Sequence, residues 1–287
     1  MQGRIIRIVS KDYRIQLETG ELVDAVLSGK LRLDKSPVAG DVVEVKATDT
    51  QYVVERIEPR LNELRRPHVA NVDQALIVMS VKEPDFSCTL VDRLTFLIMH
   101  AGIQPVLIVT KTDLGISDEV EEMIQEYEKG PMRVIRTHKE QLDPSFAEII
   151  AGKISVLTGQ SGAGKSTLLN GLEPSFKLKT QEISKALGRG KHTTRHNELH
   201  QVAGGWVADT PGFSSLDFTH MKTDDLAQSV LEFQPYLNSC RFKDCIHQNE
   251  PDCAIKNAVK NGSIPERRYQ NYLAILTMIQ NRKEKYV

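Results

Sequence analysis

The sequence has no long hydrophobic run, almost no net charge and few cysteines, and each of these features excludes some classes of protein. Among its 287 residues no apolar run approaches the roughly 20 residues needed to span a bilayer. The segment Met1–Ile6 lacks the apolar core and cleavage site of a signal peptide, so we expect a cytoplasmic protein with no membrane partner. A formal net charge of −1 excludes a general polyanion binder, so contact with nucleic acid has to use local basic patches.

Of the four cysteines, Cys88 stands alone and three cluster near the C-terminus. In a reducing cytosol such clustering favours metal binding over disulfides. The pattern Cys240-x4-Cys245-x-His247-x5-Cys253 offers soft ligands that suit one tetrahedral, structural Zn²⁺, because four protein ligands leave no open position for chemistry. Reduced cysteines without a metal are the alternative. Six basic residues around these ligands predict either an RNA-contacting surface or a solvated charged face: Arg241, Lys243, Lys256, Lys260, Arg267 and Arg268.

The order of predicted secondary structure indicates three domains. Short β-segments separated by turns begin the chain and predict a five-stranded barrel, either an OB-fold or an SH3-like barrel, followed by a linker at Arg60–Arg66. From about Val69, apolar strands alternate with amphipathic helices, as in a doubly wound α/β domain. A helix is predicted over Pro265–Lys285. The expected domains are an OB-fold barrel (1–62), an α/β domain (63–216) and a helical zinc-knuckle domain (217–287).

Residues 159–166 match the G-x-x-x-x-G-K-[ST] pattern of a phosphate-binding loop. A predicted strand, Lys153–Thr158, runs into the glycines, and a predicted helix, Lys165–Leu172, leaves them. Glycines let backbone N–H groups converge on phosphate oxygens, and the helix N-terminus adds a favourable dipole. We expect Lys165 to reach the β- and γ-phosphates and Ser166 to bind Mg²⁺.

The segment Thr110-Lys111-Thr112-Asp113 is typical of the T/N-K-x-D element that reads the base in GTPases, yet it precedes the phosphate loop instead of following it. The Asp113 carboxylate can accept two hydrogen bonds from guanine, one from the ring N–H and one from the exocyclic amine. Adenine cannot donate both, so this residue selects guanine over adenine. Lys111 is expected over the base plane. Thr110 replaces the commoner Asn, which predicts modest base affinity. The reversed order predicts a circularly permuted G domain. The segment that completes the sugar–base pocket is expected at Arg136-Thr137-His138, without a clear signature.

Two further segments have the composition of loops that sense the γ-phosphate. Asp209, in Asp209-Thr210-Pro211-Gly212, follows a predicted strand and is placed to hold Mg²⁺, while Gly212 can present its N–H to the γ-phosphate. The glycine-rich, basic segment 188–195 supplies Thr193 or Thr194 as a switch threonine, or else is a solvated surface loop.

The position after Gly212 bears on hydrolysis. Phe213 stands where Ras-like proteins keep a water-positioning glutamine, and a phenyl ring cannot orient water, so we expect slow intrinsic hydrolysis. His192 is the leading substitute, although a loop neighbour without catalytic role fits as well. The candidate catalytic set is therefore His192, Thr193, Thr194, Lys165 and Asp209.

Together these features resemble the RsgA family of GTPases that act in small ribosomal subunit biogenesis. The resemblance covers almost the whole chain, through residues 65–74, 159–162, 190–194 and 209–213 and the zinc ligands. It implies a cytoplasmic GTPase that binds the 30S subunit and its 16S rRNA late in maturation, with ribosome-stimulated hydrolysis of GTP promoting release. It also implies guanine contacts at Lys111 and Asp113, a catalytic role for His192, and phosphate contacts at Gly159, Gln160, Ser161, Gly162, Ala163, Gly164, Lys165, Ser166 and Thr167.

Other functions remain open at this stage. A nucleotide-gated rRNA-binding placeholder would use the same nucleotide site but hydrolyse GTP only incidentally. A P-loop ATPase or kinase would keep the phosphate loop and make Asp113 accidental. Nothing in the sequence requires more than a monomer.

Overall fold

The computed structural model of the chain describes residues 1–29, 31, 36–65, 68–138, 144–173, 198–208 and 216–281. Within these ranges no helix is long and apolar enough to cross a membrane.

The first five strands form a closed barrel in the order β1-β2-β3-β5-β4, with β3 and β5 parallel. This closure is that of a five-stranded Greek-key OB-fold and decides between the two barrels predicted. The strands are β1 (Gln2–Val9), β2 (Asp12–Leu17), β3 (Leu22–Leu27), β4 (Val42–Ala47) and β5 (Tyr52–Ile57).

The segment predicted as a linker is a docked junction instead. Strand β6 (Glu63–Arg65) pairs with β7 (His68–Ala70) as an antiparallel hairpin. Before it, Arg60 donates from Nε and Nη2 to the two carboxylate oxygens of the fully buried Asp41, at 2.7 and 2.9 Å. Since Asp41 belongs to the barrel, this bidentate pair fixes the barrel to the start of the hairpin.

A close backbone approach completes the junction. Gly40 has a φ of +91°, and a Cβ there would lie 2.0 Å from the carbonyl oxygen of Ala70, so only glycine fits. The Asn71 amide donates to the Gly40 carbonyl at 3.0 Å. The barrel is therefore held against the rest of the chain by specific polar contacts.

The central sheet has six strands in the order β10-β9-β8-β11-β13-β12. The first five in that order are parallel neighbours, as predicted, and β12 is an antiparallel edge strand that the sequence pattern did not predict. The carboxyl ends of β8, β9 and β11 meet at one edge, the place where ligands bind in open α/β sheets. The strands are β8 (Gln74–Ser80), β9 (Gln104–Thr110), β10 (Arg133–Arg136), β11 (Ile154–Thr158), β12 (Leu199–Val202) and β13 (Gly205–Ala208).

Helices cover this sheet because its strands are apolar on both sides. All seven residues of β8 and all five of β11 are buried, which explains the apolar stretch Ala75–Met79 in β8 and the mostly apolar character of β11. The helical spacing of the sequence predicts helices at Asp92–His100, Glu119–Glu128 and Lys165–Leu172, and the structure contains all three, the first beginning already at Cys88. The short helix α3 was not predicted. The helices are α1 (Cys88–His100), α2 (Asp118–Glu128), α3 (Ser145–Ile150) and α4 (Lys165–Leu172).

The C-terminal part packs its own apolar core against α1. Phe96 of α1 is buried among Phe233, Tyr272, Ile275 and other residues of this region. A 3₁₀ helix at Leu231–Tyr236 belongs to it, together with three helices that the structure describes: α5 (Thr223–Gln228), α6 (Ala254–Lys260) and α7 (Glu266–Gln280). The region is thus continuous with the helical face of the central sheet.

Candidate nucleotide and metal sites

The phosphate loop joins β11 to α4 and lies against the end of β8. Gly159 has a φ of +121°, and a Cβ at this position would lie 2.0 Å from the Val78 carbonyl oxygen, so glycine is required. The Lys165 ammonium donates to the carbonyl oxygens of Gly159 and Gln160, at 2.8 and 2.6 Å. Burial lowers the pKa of Lys165, because the charged form loses hydration. A bound phosphate would offset that cost, so the loop is suited to an anion.

The segment predicted to read the base, Thr110–Asp113, touches the phosphate loop directly. The buried Thr110 hydroxyl, at the end of β9, donates to the Ala163 carbonyl oxygen at 2.6 Å. A Cβ on Gly164 would lie 3.6 Å from the same hydroxyl oxygen. Two segments that lie far apart in the sequence, in reversed order, therefore meet at one edge of the sheet. Thr110 keeps this link without the amide of the commoner Asn.

The rest of the element faces two neighbouring loops. Lys111, in the left-handed region at φ 57°, donates its Nζ to the Glu83 carbonyl oxygen. The Thr112 hydroxyl donates to the Thr137 carbonyl at 3.3 Å, which brings the segment after β10 beside this element. Asp113 lies in a single 3₁₀ turn and is exposed. Its carboxylate is thus accessible at the edge where the base of a nucleotide would lie.

The segment between β8 and α1 also lines this edge, and sequence reasoning missed it. The Ser80 hydroxyl donates to the Pro84 carbonyl at 2.7 Å, and a Cβ on Gly162 would lie 3.7 Å from the Pro84 ring. The Glu83 carbonyl holds Lys111, as described above. The available signal was Ser80, a polar residue directly after the apolar stretch Ala75–Met79 of β8.

The clustered cysteines and His247 form a compact set of metal ligands. The Nδ1 of His247 lies 3.5, 3.3 and 3.4 Å from the sulfurs of Cys240, Cys245 and Cys253. The sulfurs of Cys240 and Cys253 are 3.9 Å apart. Tetrahedral Zn²⁺ with Zn–S bonds of about 2.3 Å separates sulfurs by about 3.8 Å. The donor set and its spacing fit one zinc ion with no open position.

The protein around these ligands orients them. Burial lowers the pKa of His247, which keeps the imidazole neutral and able to coordinate. Burial, together with the hydrogen bond and charge interaction with Cys253, raises the pKa of Cys245 to about 12. Metal binding would reverse that preference by stabilising the thiolates, with release of protons. The Tyr269 hydroxyl donates to the His247 carbonyl at 2.7 Å and anchors the ligand loop to α7.

Comparison with known proteins decides the family. A family model described as RsgA GTPase matches residues 57–219. The chain belongs to the RsgA GTPase family. Members of this family are GTPases, hydrolases that act on GTP and bind Mg²⁺ with the nucleotide.

Full-length relatives and solved structures agree with this. A protein named small ribosomal subunit biogenesis GTPase RsgA, from Shouchella clausii (strain KSM-K16), is 45% identical over 292 residues, covering 99% of both chains. The RsgA of Bacillus subtilis (strain 168) is 41% identical over 299 residues with the same coverage. The crystal structure of YloQ, a circularly permuted GTPase, matches with a TM-score of 0.84 and 36% identity, over 99% of this chain and 96% of that one. YjeQ from Thermotoga maritima gives 0.85 and 33%, over 98% and 99%.

These relatives confirm the predicted fold class, a circularly permuted RsgA-type G domain with flanking barrel and Cys/His cluster. The roles of individual residues stay predictions. The structure brings Thr110–Asp113 and Gly159–Thr167 to one edge, and Ser166 is exposed in the first turn of α4. Five predicted site residues lie outside the described residues: His192, Thr193, Thr194, Asp209 and Gly212.

The predicted basic surface around the metal ligands is only partly present. Arg241 and Lys243 are exposed, and Arg241 lies over the Phe242 ring at 5.5 Å. Arg267 pairs with Glu126 at 3.3 Å. Arg268 is 4% exposed and therefore is not a surface residue at all.

Proposed function

We propose that this chain is a GTPase that binds the small (30S) ribosomal subunit through 16S rRNA and hydrolyses GTP late in subunit maturation. Hydrolysis stimulated by the ribosome then promotes release of the factor in the cytoplasm. The relatives described above support the choice of ribosomal partner, because they are named small ribosomal subunit biogenesis GTPases. The observation that carries the nucleotide chemistry is the hydrogen bond from Thr110 to Ala163, because it joins the base-reading element to the phosphate loop.

In this proposal each element has a distinct task. The loop from Gly159 to Thr167 holds the phosphates, with Lys165 on the β- and γ-phosphate oxygens. Ser166 and Asp209 hold the Mg²⁺ that neutralises charge on the transferred phosphoryl group. Lys111 and Asp113 bind guanine.

His192 would orient the attacking water, because Phe213 cannot, while Thr193 or Thr194 closes over the γ-phosphate. The flanking domains, 1–62 and 217–287, supply the grip on the subunit. The barrel is fixed by the Arg60–Asp41 junction and the C-terminal region packs on α1, so force on either reaches the G domain. Pressure of the ribosomal surface on the switch segments would complete the catalytic geometry.

Guanine selection is tested by Asp113→Asn. We expect at least about a 100-fold loss of GDP affinity, because the amide cannot accept both guanine donors, and a gain for XDP, whose extra carbonyl can accept from the amide. Titration of fluorescent GDP and XDP measures both. Asp118→Asn is the matched control, since Asp118 is exposed at the start of α2. GDP binding that survives Asp113→Asn, or equal competition by ATP, would favour the ATPase or kinase reading.

Stimulation is tested by GTP turnover with and without purified small ribosomal subunits. We expect at least about a tenfold rise in kcat, or about 1.4 kcal/mol, with none from large subunits. An unchanged rate would contradict coupling to the ribosome.

The second candidate function is a nucleotide-gated rRNA-binding placeholder, because Phe213 lies where Ras-like proteins keep the glutamine and hydrolysis could be incidental. Unimpaired release of His192→Ala from small subunits would favour it.

A further inference from the structure

A buried charge network joins the C-terminal region to the G domain. Arg268 of α7 pairs through Nη1 with Asp92 of α1 and through Nε with Glu232, the latter at 2.8 Å. The three residues are 4%, 1% and 9% exposed. The guanidinium lies 4.2 Å from the centre of the Tyr127 ring, on α2. Well-packed apolar residues stabilise such a position equally well, so stability alone does not explain buried charges here.

Both carboxylate oxygens of Asp92 accept hydrogen bonds from neighbouring helices, and these bonds fix the position of α1. Its Oδ1 accepts the Tyr127 hydroxyl at 2.6 Å, and its Oδ2 accepts the Asn271 amide at 2.6 Å. Directional bonds of this kind set the rotation and the axial position of the helix, which apolar packing does less strictly. Helix α1 is thereby registered against α2 and α7 together.

The start of α1 leads into the nucleotide site. Ser87 caps the helix by accepting from the Leu90 N–H, and it ends the segment 81–87. That segment holds Lys111 through the Glu83 carbonyl and packs Pro84 beside Gly162 of the phosphate loop. A displacement of α1 therefore moves both the base-reading lysine and one wall of the phosphate loop.

The other end of the network reaches the metal ligands. On α7, the residue after Arg268 is Tyr269, whose hydroxyl holds the His247 carbonyl. The Tyr272 hydroxyl donates to the Ile246 carbonyl at 2.5 Å. One helix thus binds both the metal-ligand loop and Asp92.

We propose that Arg268 is a positioning residue of the nucleotide site, through which zinc occupancy and GDP affinity are thermodynamically linked. The inference rests on the proposed nucleotide function. Zinc orders the ligand loop and α7, α7 holds α1 through Arg268, and α1 holds the segment that contacts Lys111 and Gly162. Linkage is reciprocal, so GDP tightens zinc binding by the factor by which zinc tightens GDP binding.

The test compares GDP affinity of zinc-loaded and chelated full-length protein. The GDP affinity of the wild-type protein is expected to fall about tenfold when zinc is removed by chelation. Arg268→Met in zinc-loaded protein is expected to lose a similar factor and to show no further loss on chelation. Arg267→Met is the matched control, since this neighbour on α7 makes a half-exposed pair with Glu126, and such pairs contribute little. It should behave as wild type.

A second variant guards against misfolding. Asp92→Leu/Glu232→Leu/Arg268→Met removes all three charges, so no buried charge is left unpaired, and only the neutral Tyr127 hydroxyl and Asn271 amide lose their acceptor at Asp92. The fold is therefore expected to survive. If this folded variant binds GDP as tightly as wild type, or if chelation leaves wild-type affinity unchanged, the linkage is wrong while the GTPase proposal stands. Wild type that fails to bind GDP at all overturns both. Competition between GDP and a zinc chelator measures the reciprocal effect.

Discussion

Lys165→Ala is expected to lower kcat/KM for GTP by about 100- to 1,000-fold, or roughly 3–4 kcal/mol of transition-state stabilisation. The Lys165 ammonium already points over the phosphate loop, where it donates to the Gly159 and Gln160 carbonyls. In a nucleotide complex, a phosphate oxygen would accept these hydrogen bonds from Lys165 in place of the two carbonyl oxygens. Because negative charge moves during hydrolysis, the lost cation weakens the transition state more than it weakens bound GTP.

The measurement is GTP turnover under conditions where kcat and KM are separately resolved. Lys153→Ala is the control, since Lys153 is exposed immediately before β11, at the end of that strand away from the loop. It removes the same charge without touching the site and should leave kcat/KM unchanged. A loss below about threefold for Lys165→Ala would show that this lysine does not contact the reacting phosphates.

Local patterns were sufficient where one stretch of sequence determines its own structure. The buried strand β8 is apolar from Ala75 to Met79, β11 is short and mostly apolar, and the phosphate loop needs glycine wherever its backbone takes a positive φ. The permuted order was readable for the same reason, since each motif is local and only their order is unusual. The fold class followed from these elements.

Contacts between distant charged residues were not readable in this way. Arg268 on a polar helix predicts a solvent-facing cation, and only its pairing with Asp92 and Glu232 makes burial possible. A linker was predicted at Arg60–Arg66, whereas the Arg60–Asp41 pair docks this segment on the barrel. The strand β12 is short and antiparallel, so neither length nor apolar character indicated it. Each of these features depends on a partner that sequence periodicity does not reveal.

Cys253→Ser is expected to remove zinc from the protein and to lower its unfolding midpoint by at least about 10 °C. Cys253 is buried, with its sulfur 3.4 Å from His247 Nδ1, so a hydroxyl there replaces a thiolate ligand by a much weaker donor. The loss falls on the C-terminal core, because α6 begins directly after Cys253 and packs into that core.

The readouts are zinc per chain by elemental analysis and thermal unfolding with and without a chelator. Cys88→Ala is the control, since Cys88 is a buried thiol at the start of α1 and takes no part in the ligand cluster. It should keep one zinc ion per chain. Chelation should reproduce the effect of Cys253→Ser in wild type and in Cys88→Ala, and should add nothing in Cys253→Ser. A Cys253→Ser protein with full zinc content would show that three of the ligands suffice to hold the metal. A zinc-free protein with the wild-type midpoint would show that the metal does not stabilise this region.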